Sequence, residues 1–206
     1  MLPFDAIRAV NYLSAQDAIL ATLMHQVGPY LVLPKPLPSV FEALTESIIY
    51  QQLSGKAAET IYRRFRSLFS AHAHPTPEEI LKTPHDALRG VGISHAKVRA
   101  IHDLALKTIN HEIPTLAQIR NMSDEVVIEA LTKVRGIGPW TVEMMLLFDL
   151  GRPDVLPATD LGVQKGFQKT YGHADLPKPA EIRIFAERWR PYRSVASWYM
   201  YRALER

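Results

Sequence analysis

Apolar residues recur at helical spacing along almost the whole chain, and the strict apolar–polar alternation of half-buried strands is nearly absent. Phe41, Leu44 and Ile48 follow the i, i+3, i+7 pattern of one helix face. The segment 57–69 repeats this pattern and carries three arginines on its opposite face. The sequence therefore predicts an all-α fold.

Helix breakers and caps divide the chain into about ten predicted short helices. Three prolines between residues 34 and 38 separate an N-terminal helical segment from the next, and 72–77 is a predicted loop. Thr76 and Ser123 are predicted N-caps, because a side-chain oxygen there can accept from an unpaired helix amide. A chain of 206 residues is long enough for one domain with a real core, or for two small helical lobes that share one.

The composition excludes several classes of protein and favours an anionic partner. There are no cysteines, so disulfides, zinc fingers and cysteine-ligated iron–sulfur clusters are ruled out. No apolar run approaches the ~18 residues that cross a membrane, and we expect no secretion signal. A net charge of +3 and a pI of about 9.1 suit a polyanion. His72 and His74 share a loop without a third ligand at metal-binding spacing, so we expect no metal site.

A Gly-x-Gly turn lies in the most informative segment, residues 131–167. Gly136-Ile137-Gly138 follows an amphipathic helix, and Pro139 opens an apolar helix from Trp140 to Leu150. Such a turn exposes several backbone amides in one direction, and the next helix adds its positive N-terminal dipole. The segment therefore predicts an anion site able to hold a DNA phosphate.

Asp160 lies at the predicted start of a further helix, in Leu156-Pro157-Ala158-Thr159-Asp160-Leu161-Gly162-Val163. Taken alone, this position favours a plain N-cap, filled by Thr159 or Asp160. A fixed carboxylate at a helix start can also serve chemistry, and both interpretations stay open at this point.

The block Val134-Arg135-Gly136-Ile137-Gly138-Pro139-Trp140-Thr141, with an aspartate about twenty residues further on, resembles the helix-hairpin-helix DNA glycosylases. The branch it resembles most is 3-methyladenine DNA glycosylase II. Residues 47–54 are similar to the segment with which that branch probes the DNA minor groove. Residues 92–97 resemble its middle turn, and 186–193 its C-terminal helical segment. The resemblance covers about residues 38–203.

This resemblance implies a two-lobed glycosylase domain over residues 1–206, with the helix-hairpin-helix at about 124–150 and an active-site cleft between the lobes. The longer members carry an extra N-terminal β-rich domain, which we do not expect here. In those members a leucine wedges into the DNA near the position of Gln52, whereas here the neighbouring Leu53 is the apolar candidate. The identity of the wedge therefore stays open.

The resemblance also implies the site residues. Asp160 matches the catalytic aspartate. A flipped cationic base is attracted to aromatic faces, and the candidates for the base pocket are Trp140, Tyr50, Trp189, Trp198 and Tyr192. The expected DNA contacts are Gly136, Ile137, Gly138, Thr141, Gln51, Gln52, Leu53 and Ser54.

The chemistry expected of Asp160 follows from the bond that breaks. An N-glycosidic bond breaks through an oxocarbenium-like sugar, which a fixed carboxylate stabilises; Asp160 either stabilises this cation or orients water. A purine methylated at N3 or N7 already carries positive charge and needs no general acid. The nearest other carboxylates in sequence, Asp149 and Asp154, we interpret as solvated or structural. A single carboxylate favours cationic lesions.

We therefore predict a monofunctional glycosylase that removes 3-methyladenine, 7-methylguanine and similar bases and leaves an abasic site. Relatives that also cut the strand carry a lysine where this chain has Trp140, so we expect no lyase activity. One alternative is a non-catalytic hairpin module that only binds DNA, and would not need Asp160. Another is a glycosylase for oxidised or mismatched bases.

The expected partner, cofactor and location follow from the same interpretation. The partner is double-stranded DNA with alkylated bases, with no membrane, and we expect a monomer. No cofactor is expected; the resemblance implies only a structural monovalent cation at the hairpin. The location would be cytoplasmic, on the nucleoid in a bacterium or archaeon, or nuclear in a eukaryote.

Overall fold

The computed structural model describes residues 2–34, 36–69 and 74–206, and every regular element in these ranges is helical. The predicted all-α fold is confirmed, with thirteen α-helices among the described residues where about ten were expected. In chain order they are α1 (Ala6–Gln16), α2 (Ala18–Val27), α3 (Val40–Tyr50), α4 (Gly55–Arg66), α5 (Pro77–Lys82), α6 (His85–Gly90), α7 (His95–Ile109), α8 (Leu116–Ile119), α9 (Asp124–Leu131), α10 (Pro139–Met144), α11 (Leu161–Tyr171), α12 (Pro179–Phe185) and α13 (Arg193–Ala203). A π-helical turn, Met145–Asp149, continues α10, and a 3₁₀ turn, Ala186–Trp189, follows α12.

The chain divides into two compact units. One consists of Met1–Pro36 together with Glu143–Arg206, and the other of Leu37–Val142. Within the described ranges, none of the helices combines the length and the apolar character that a bilayer crossing requires. The predicted cleft between two lobes stays a prediction.

The predicted caps are present. Thr76 forms a reciprocal capping box with Glu79 at the start of α5, and the Ser123 hydroxyl accepts from the amide of Val126 at 3.4 Å at the start of α9. Each cap satisfies helix amides that have no partner within the helix, so helix starts are fixed by neighbouring residues alone.

An aromatic cluster around the buried carboxylate of Asp17 fills the core of the first unit. The Trp189 indole is fully enclosed and packs against the rings of Phe167, Tyr171 and Phe185. Its Nε1 donates to Asp17 Oδ2 at 3.1 Å, and the Tyr171 hydroxyl donates to the same oxygen at 2.6 Å. Burial alone would raise the pKa of Asp17, but these bonds and the amide of Leu20 outweigh it and hold that pKa below its usual value.

In the first unit, helices α11 and α13 pack so closely that no side chain fits between them at Gly166. A methyl group on Gly166 would lie against the carbonyl oxygen of Met200 and 2.8 Å from its Cα. Four residues earlier, a methyl group on Gly162 would lie 2.8 Å from the Tyr201 ring. Since residues four apart share a helix face, these two glycines form the surface of α11 on which α13 rests.

The second unit is built around α7, which packs against α3 and α5. The predicted core positions Phe41, Leu44 and Ile48 on α3 are all buried, as the helical pattern requires. Two helices flank the predicted hairpin turn: α9 ends at Leu131, and α10 begins at Pro139 and runs on through the π-helical turn to Asp149.

We expect Gly166→Ala to lower the free energy of unfolding by about 3 kcal/mol, the upper end of the overpacking range, because the Met200 backbone cannot turn aside. Gly55→Ala in α4 is the matched control, since a methyl group there would meet no atom within 4 Å. Its unfolding free energy should stay within about 1 kcal/mol of the wild type. Urea denaturation measures both, and equal losses would contradict the close approach of α11 and α13.

Candidate active site

Asp160 is the N-cap of α11 and lies partly buried at its start. Its Oδ1 accepts from the amide of Val163 at 2.9 Å, so the predicted capping role is confirmed. The cap bond holds the carboxylate in one orientation at the positive end of an eleven-residue helix. Capping and a chemical role are therefore compatible in this residue, because the bond that satisfies the helix also fixes the carboxylate.

Tyr201 on α13 reaches the same carboxylate. Its hydroxyl is hydrogen-bonded to Asp160 and lies 3.7 Å from Met144 Sδ. Burial raises the pKa of Tyr201, and the negative charge of Asp160 raises it further. The phenol therefore stays protonated and can act as a hydrogen-bond donor to Asp160.

A second carboxyl group, Glu143 on α10, belongs to this neighbourhood and was missed in the sequence. Its charge interacts with Asp160 and with Tyr201, and burial is the main cause that raises its pKa. Its Oε2 is buried and has no hydrogen-bond partner in the part of the chain that the structure describes. The sequence signal was available, because Glu143 interrupts an otherwise apolar helix face between Val142 and Met145.

Asp154, by contrast, has the structural role that the sequence suggested. Its Oδ1 accepts from Arg193 Nε at 2.8 Å and its Oδ2 from Arg190 at 2.7 Å. The Arg193 backbone amide also donates to Oδ1 at 3.2 Å. These bonds tie the loop before α11 to the start of α13, and they engage both carboxylate oxygens of Asp154.

The hairpin lies in the second unit, and its two glycines serve different purposes. Gly136 has φ +77°, a left-handed conformation that favours glycine, and a methyl group there would meet Ala100 Cβ at 3.3 Å. Gly138 has neither constraint, because a methyl group there would meet no atom within 4 Å. Gly138 therefore leaves an open approach to the backbone, which suits a ligand that must come close to it.

Some backbone amides of the hairpin donate hydrogen bonds within the fold, and others do not. Ile137 donates its amide to Val134 O at 3.1 Å inside the turn, and Arg135 donates its amide to Asp103 Oδ2 at 2.7 Å. Across the described residues, the amides of Gly136 and Gly138 have no acceptor. Ile137 is itself buried, so its side chain anchors the turn to the core.

The turn at Gln51–Ser54 is braced in the same unit. Gln51 Nε2 donates to Gly136 O at 3.1 Å and lies 3.4 Å from the Thr141 hydroxyl. The Lys97 ammonium donates to Ile49 O at 2.9 Å and to Gln51 O at 2.7 Å. Three predicted DNA-contact positions, Gln51, Gly136 and Thr141, are thereby brought together by direct bonds.

The tip of this turn is exposed and strained. Gln52 has φ +57°, which is uncommon for a residue with a side chain, and Leu53 is 39% exposed although it is apolar. Ser54 stands at the N-cap position of α4, where its side chain makes no capping bond. Strain of about 1–3 kcal/mol at a surface turn persists only where the surrounding bonds enforce it, and Lys97 and Gln51 supply those bonds.

The five predicted pocket aromatics fall into distinct environments. Trp140 is 44% exposed on α10, and the partly buried Tyr50 donates its hydroxyl to Glu59 at 2.7 Å. Trp198 packs edge-on against Tyr30.

The other two pocket candidates also lie in the first unit. Tyr192 packs against Phe4 and Tyr12. Trp189 differs from the rest because it is fully buried and its indole nitrogen is already bonded to Asp17, which is the placement of a core residue. The sequence could not separate these cases, since an aromatic at helical spacing looks the same in a core and in a pocket.

The histidines give no sign of a metal site in the described ranges, where no group of three potential ligands from His, Asp and Glu is found. The Tyr62 hydroxyl and His74 Nδ1 lie 3.2 Å apart, so His74 is held against α4 and is not a freely solvated loop residue. His72 lies outside the described residues.

Comparison with known proteins gives consistent results. The family model described as HhH-GPD superfamily base excision DNA repair protein matches residues 45–191. The chain is 35% identical over 200 residues to DNA-3-methyladenine glycosylase 1 of Schizosaccharomyces pombe, covering 95% of this chain and 86% of that protein. It is 33% identical over 198 residues to the alkylbase DNA glycosidase-like protein mag2 of the same yeast, covering 96% and 93%. The solved structure of the S. pombe 3-methyladenine DNA glycosylase Mag1 in complex with abasic DNA matches with a TM-score of 0.84 and 35% identity, over 95% of both chains.

Proposed function

Because the chain belongs to the HhH-GPD superfamily of base excision DNA repair proteins, we propose that it is a monofunctional DNA glycosylase for alkylated bases. It hydrolyses the N-glycosidic bond of lesions such as 3-methyladenine and 7-methylguanine and leaves an abasic site. The observation that carries this proposal is the fixed carboxylate of Asp160, held by the Val163 amide and by the Tyr201 hydroxyl. A module that only binds DNA has no need of such a carboxylate.

The chemistry of Asp160 follows from its fixed position. As the bond breaks, positive charge grows on the sugar, and a carboxylate that is already oriented stabilises this charge without reorganising. The Tyr201 hydroxyl keeps one donor on Asp160 and restricts its rotation. A methylated purine cation leaves as a neutral base, so this half of the reaction requires no proton from the protein.

DNA binding is assigned to the hairpin and to the braced turn beside it. The amides of Gly136 and Gly138 would bind a backbone phosphate, supported by the N-terminal dipole of the following helix. Gln51 holds the hairpin in shape through its bond to Gly136 O, and its amide also lies against the Thr141 hydroxyl. Gln52, Leu53 and Ser54 present the exposed tip that would enter the minor groove.

Two further assignments complete this proposal. Trp140 is the pocket aromatic with the most accessible face, and Tyr50, Trp198 and Tyr192 are secondary candidates.

A monovalent cation at the hairpin would be held by backbone carbonyls of residues 132–138. This stretch has no carboxylate, and neutral oxygen donors of this kind suit a singly charged ion. We propose a monomer that works wherever the DNA is kept, on the nucleoid or in the nucleus.

The direct test is release of free base. Wild-type protein incubated with methylated duplex DNA should release 3-methyladenine and 7-methylguanine, identified by chromatography, without added metal or nucleotide. We expect Asp160→Asn to lose at least about 10²-fold in single-turnover rate, the scale for removing one electrostatic partner of a transition state. Asparagine can still accept from Val163, so the cap survives.

Asp5→Asn is the matched control for that variant. Asp5 caps α1 and accepts from the amides of Ile7 and Arg8, so the same chemical change is made at a helix start that lacks the proposed role. Its excision rate should equal that of the wild type. Full activity of Asp160→Asn would overturn the catalytic assignment, and an absence of free base from the wild type would favour the binding-module alternative.

The hairpin assignment is tested by charge at Gly138, where a side chain meets no protein atom. Gly138→Asp places a negative charge among the phosphate-binding amides, and Gly138→Asn adds the same volume without the charge. We expect the aspartate variant to bind duplex DNA at least about tenfold more weakly than the asparagine variant at low salt, with the difference shrinking as salt rises. Equal affinities in a fluorescence-anisotropy titration would show that the hairpin does not hold the DNA backbone.

The monofunctional assignment is tested by borohydride trapping. The position that holds a nucleophilic lysine in strand-cutting relatives is Trp140, whose indole cannot form an imine. Lys133 and Lys165 are the nearest lysines in sequence, and both are exposed. We expect no trapped complex and strand breaks only after alkali. A trapped covalent complex would contradict this assignment.

A further inference from the structure

The buried carboxyl of Glu143 has no role in the reaction described so far. Its Oε2 is enclosed, yet no described residue donates a hydrogen bond to it. Loss of hydration at this oxygen disfavours the ionised form of the carboxyl. The neutral acid is tolerated far better, because it carries no charge and supplies a donor of its own.

The charged and titratable neighbours of Glu143 do not cancel the effect of burial on its pKa, which is raised. Asp160 at the start of α11 adds negative charge, and Tyr201 from α13 is a neutral phenol that interacts with both carboxyls. Arg183 on α12 is the opposing cation, and it is exposed to solvent. Burial first and Asp160 second raise the pKa of Glu143, and Arg183 only partly offsets them.

The two carboxyl groups thus have opposed surroundings. Asp160 accepts from the Val163 amide and is hydrogen-bonded to Tyr201. Glu143 has the opposite surroundings, a buried oxygen without a donor and a carboxylate nearby. A pair of carboxyls with opposed environments is the general pattern by which acid and base roles are assigned in glycoside hydrolysis.

We propose that Glu143 is the general acid with which this enzyme excises neutral lesions, a substrate class that the single carboxylate of Asp160 does not serve. This inference rests on the proposed glycosylase function and extends it to bases such as hypoxanthine. Asp160 faces the sugar carbon in that function, and the base is bonded to that same carbon. Glu143 lies near enough to Asp160 for their charges to interact, which motivates its assignment to the departing base.

In the proposed step, Glu143 protonates the base as the glycosidic bond breaks. As the bond from C1′ to the base nitrogen breaks, its electron pair passes to the base, and the Glu143 proton moves to the base, which leaves neutral. Water adds to the sugar cation and gives its proton to Asp160. Exchange with solvent then returns Glu143 to its acid form and Asp160 to its carboxylate. A cationic purine needs no such proton, so Glu143 matters most for neutral substrates.

The experiment compares two duplexes, one with 7-methylguanine and one with hypoxanthine, under single-turnover conditions. We expect Glu143→Gln to lower the ratio of hypoxanthine to 7-methylguanine excision at least about 10²-fold, the scale of general acid catalysis. Glu143→Asp should recover part of this ratio. Glu181→Gln, the same change at an exposed cap of α12, should leave both rates unchanged.

The pH profile gives an independent readout. Wild-type excision of hypoxanthine should fall as pH rises through the raised pKa of Glu143, since the acid form is required, and excision of 7-methylguanine should not follow that fall. Equal losses of both activities in Glu143→Gln would assign the residue a structural role and overturn the proposal. So would a wild type that releases 7-methylguanine but no hypoxanthine. If the wild type releases neither base, the proposed function itself fails.

Discussion

The close approach of α11 and α13 is the constraint on which the candidate site depends. Gly166 lets the α13 backbone come within contact distance at Met200, and Gly162 makes room for the Tyr201 ring. A side chain at either position would push the helices apart. Since Asp160 is the cap of α11 and Tyr201 is part of α13, the spacing of these helices also sets the hydrogen bond between them. The same two glycines therefore allow both the close packing of α11 on α13 and the hydrogen bond between Tyr201 and Asp160.

Three carboxyl groups of the first unit show how surroundings differ for one chemical group. Asp160 accepts from an amide and stands at a helix N-terminus. Glu143 has an enclosed oxygen without a donor, which favours the neutral acid. Asp17 is a third case, because its three donors outweigh its burial and keep it ionised inside the core. For Asp17 the hydrogen-bond donors outweigh burial, whereas for Glu143 burial is the main cause of the raised pKa.

The second unit holds its surface features rigid by internal bonds. Lys97 fixes the end of α3, and Gln51 joins that end to the hairpin at Gly136. The unusual backbone of Gln52 is maintained between these anchors. In the proposed function this bracing favours DNA binding, because a tip that is already rigid loses less conformational entropy.

Local sequence determined much of this protein. Helical periodicity, the caps at Thr76 and Ser123, the hairpin turn and the cap at Asp160 all depend on residues within a few positions of one another. These features could be predicted because their physical causes lie within single segments.

Only the tertiary structure decided which residues meet. Glu143, Asp160 and Tyr201 stand on three different helices, and no local pattern links them. Trp189 illustrates the same limit, since its fully buried position depends on Asp17, more than 170 residues earlier in the chain. Burial and charge state arise from contacts between distant segments, and the local sequence carries no record of those contacts.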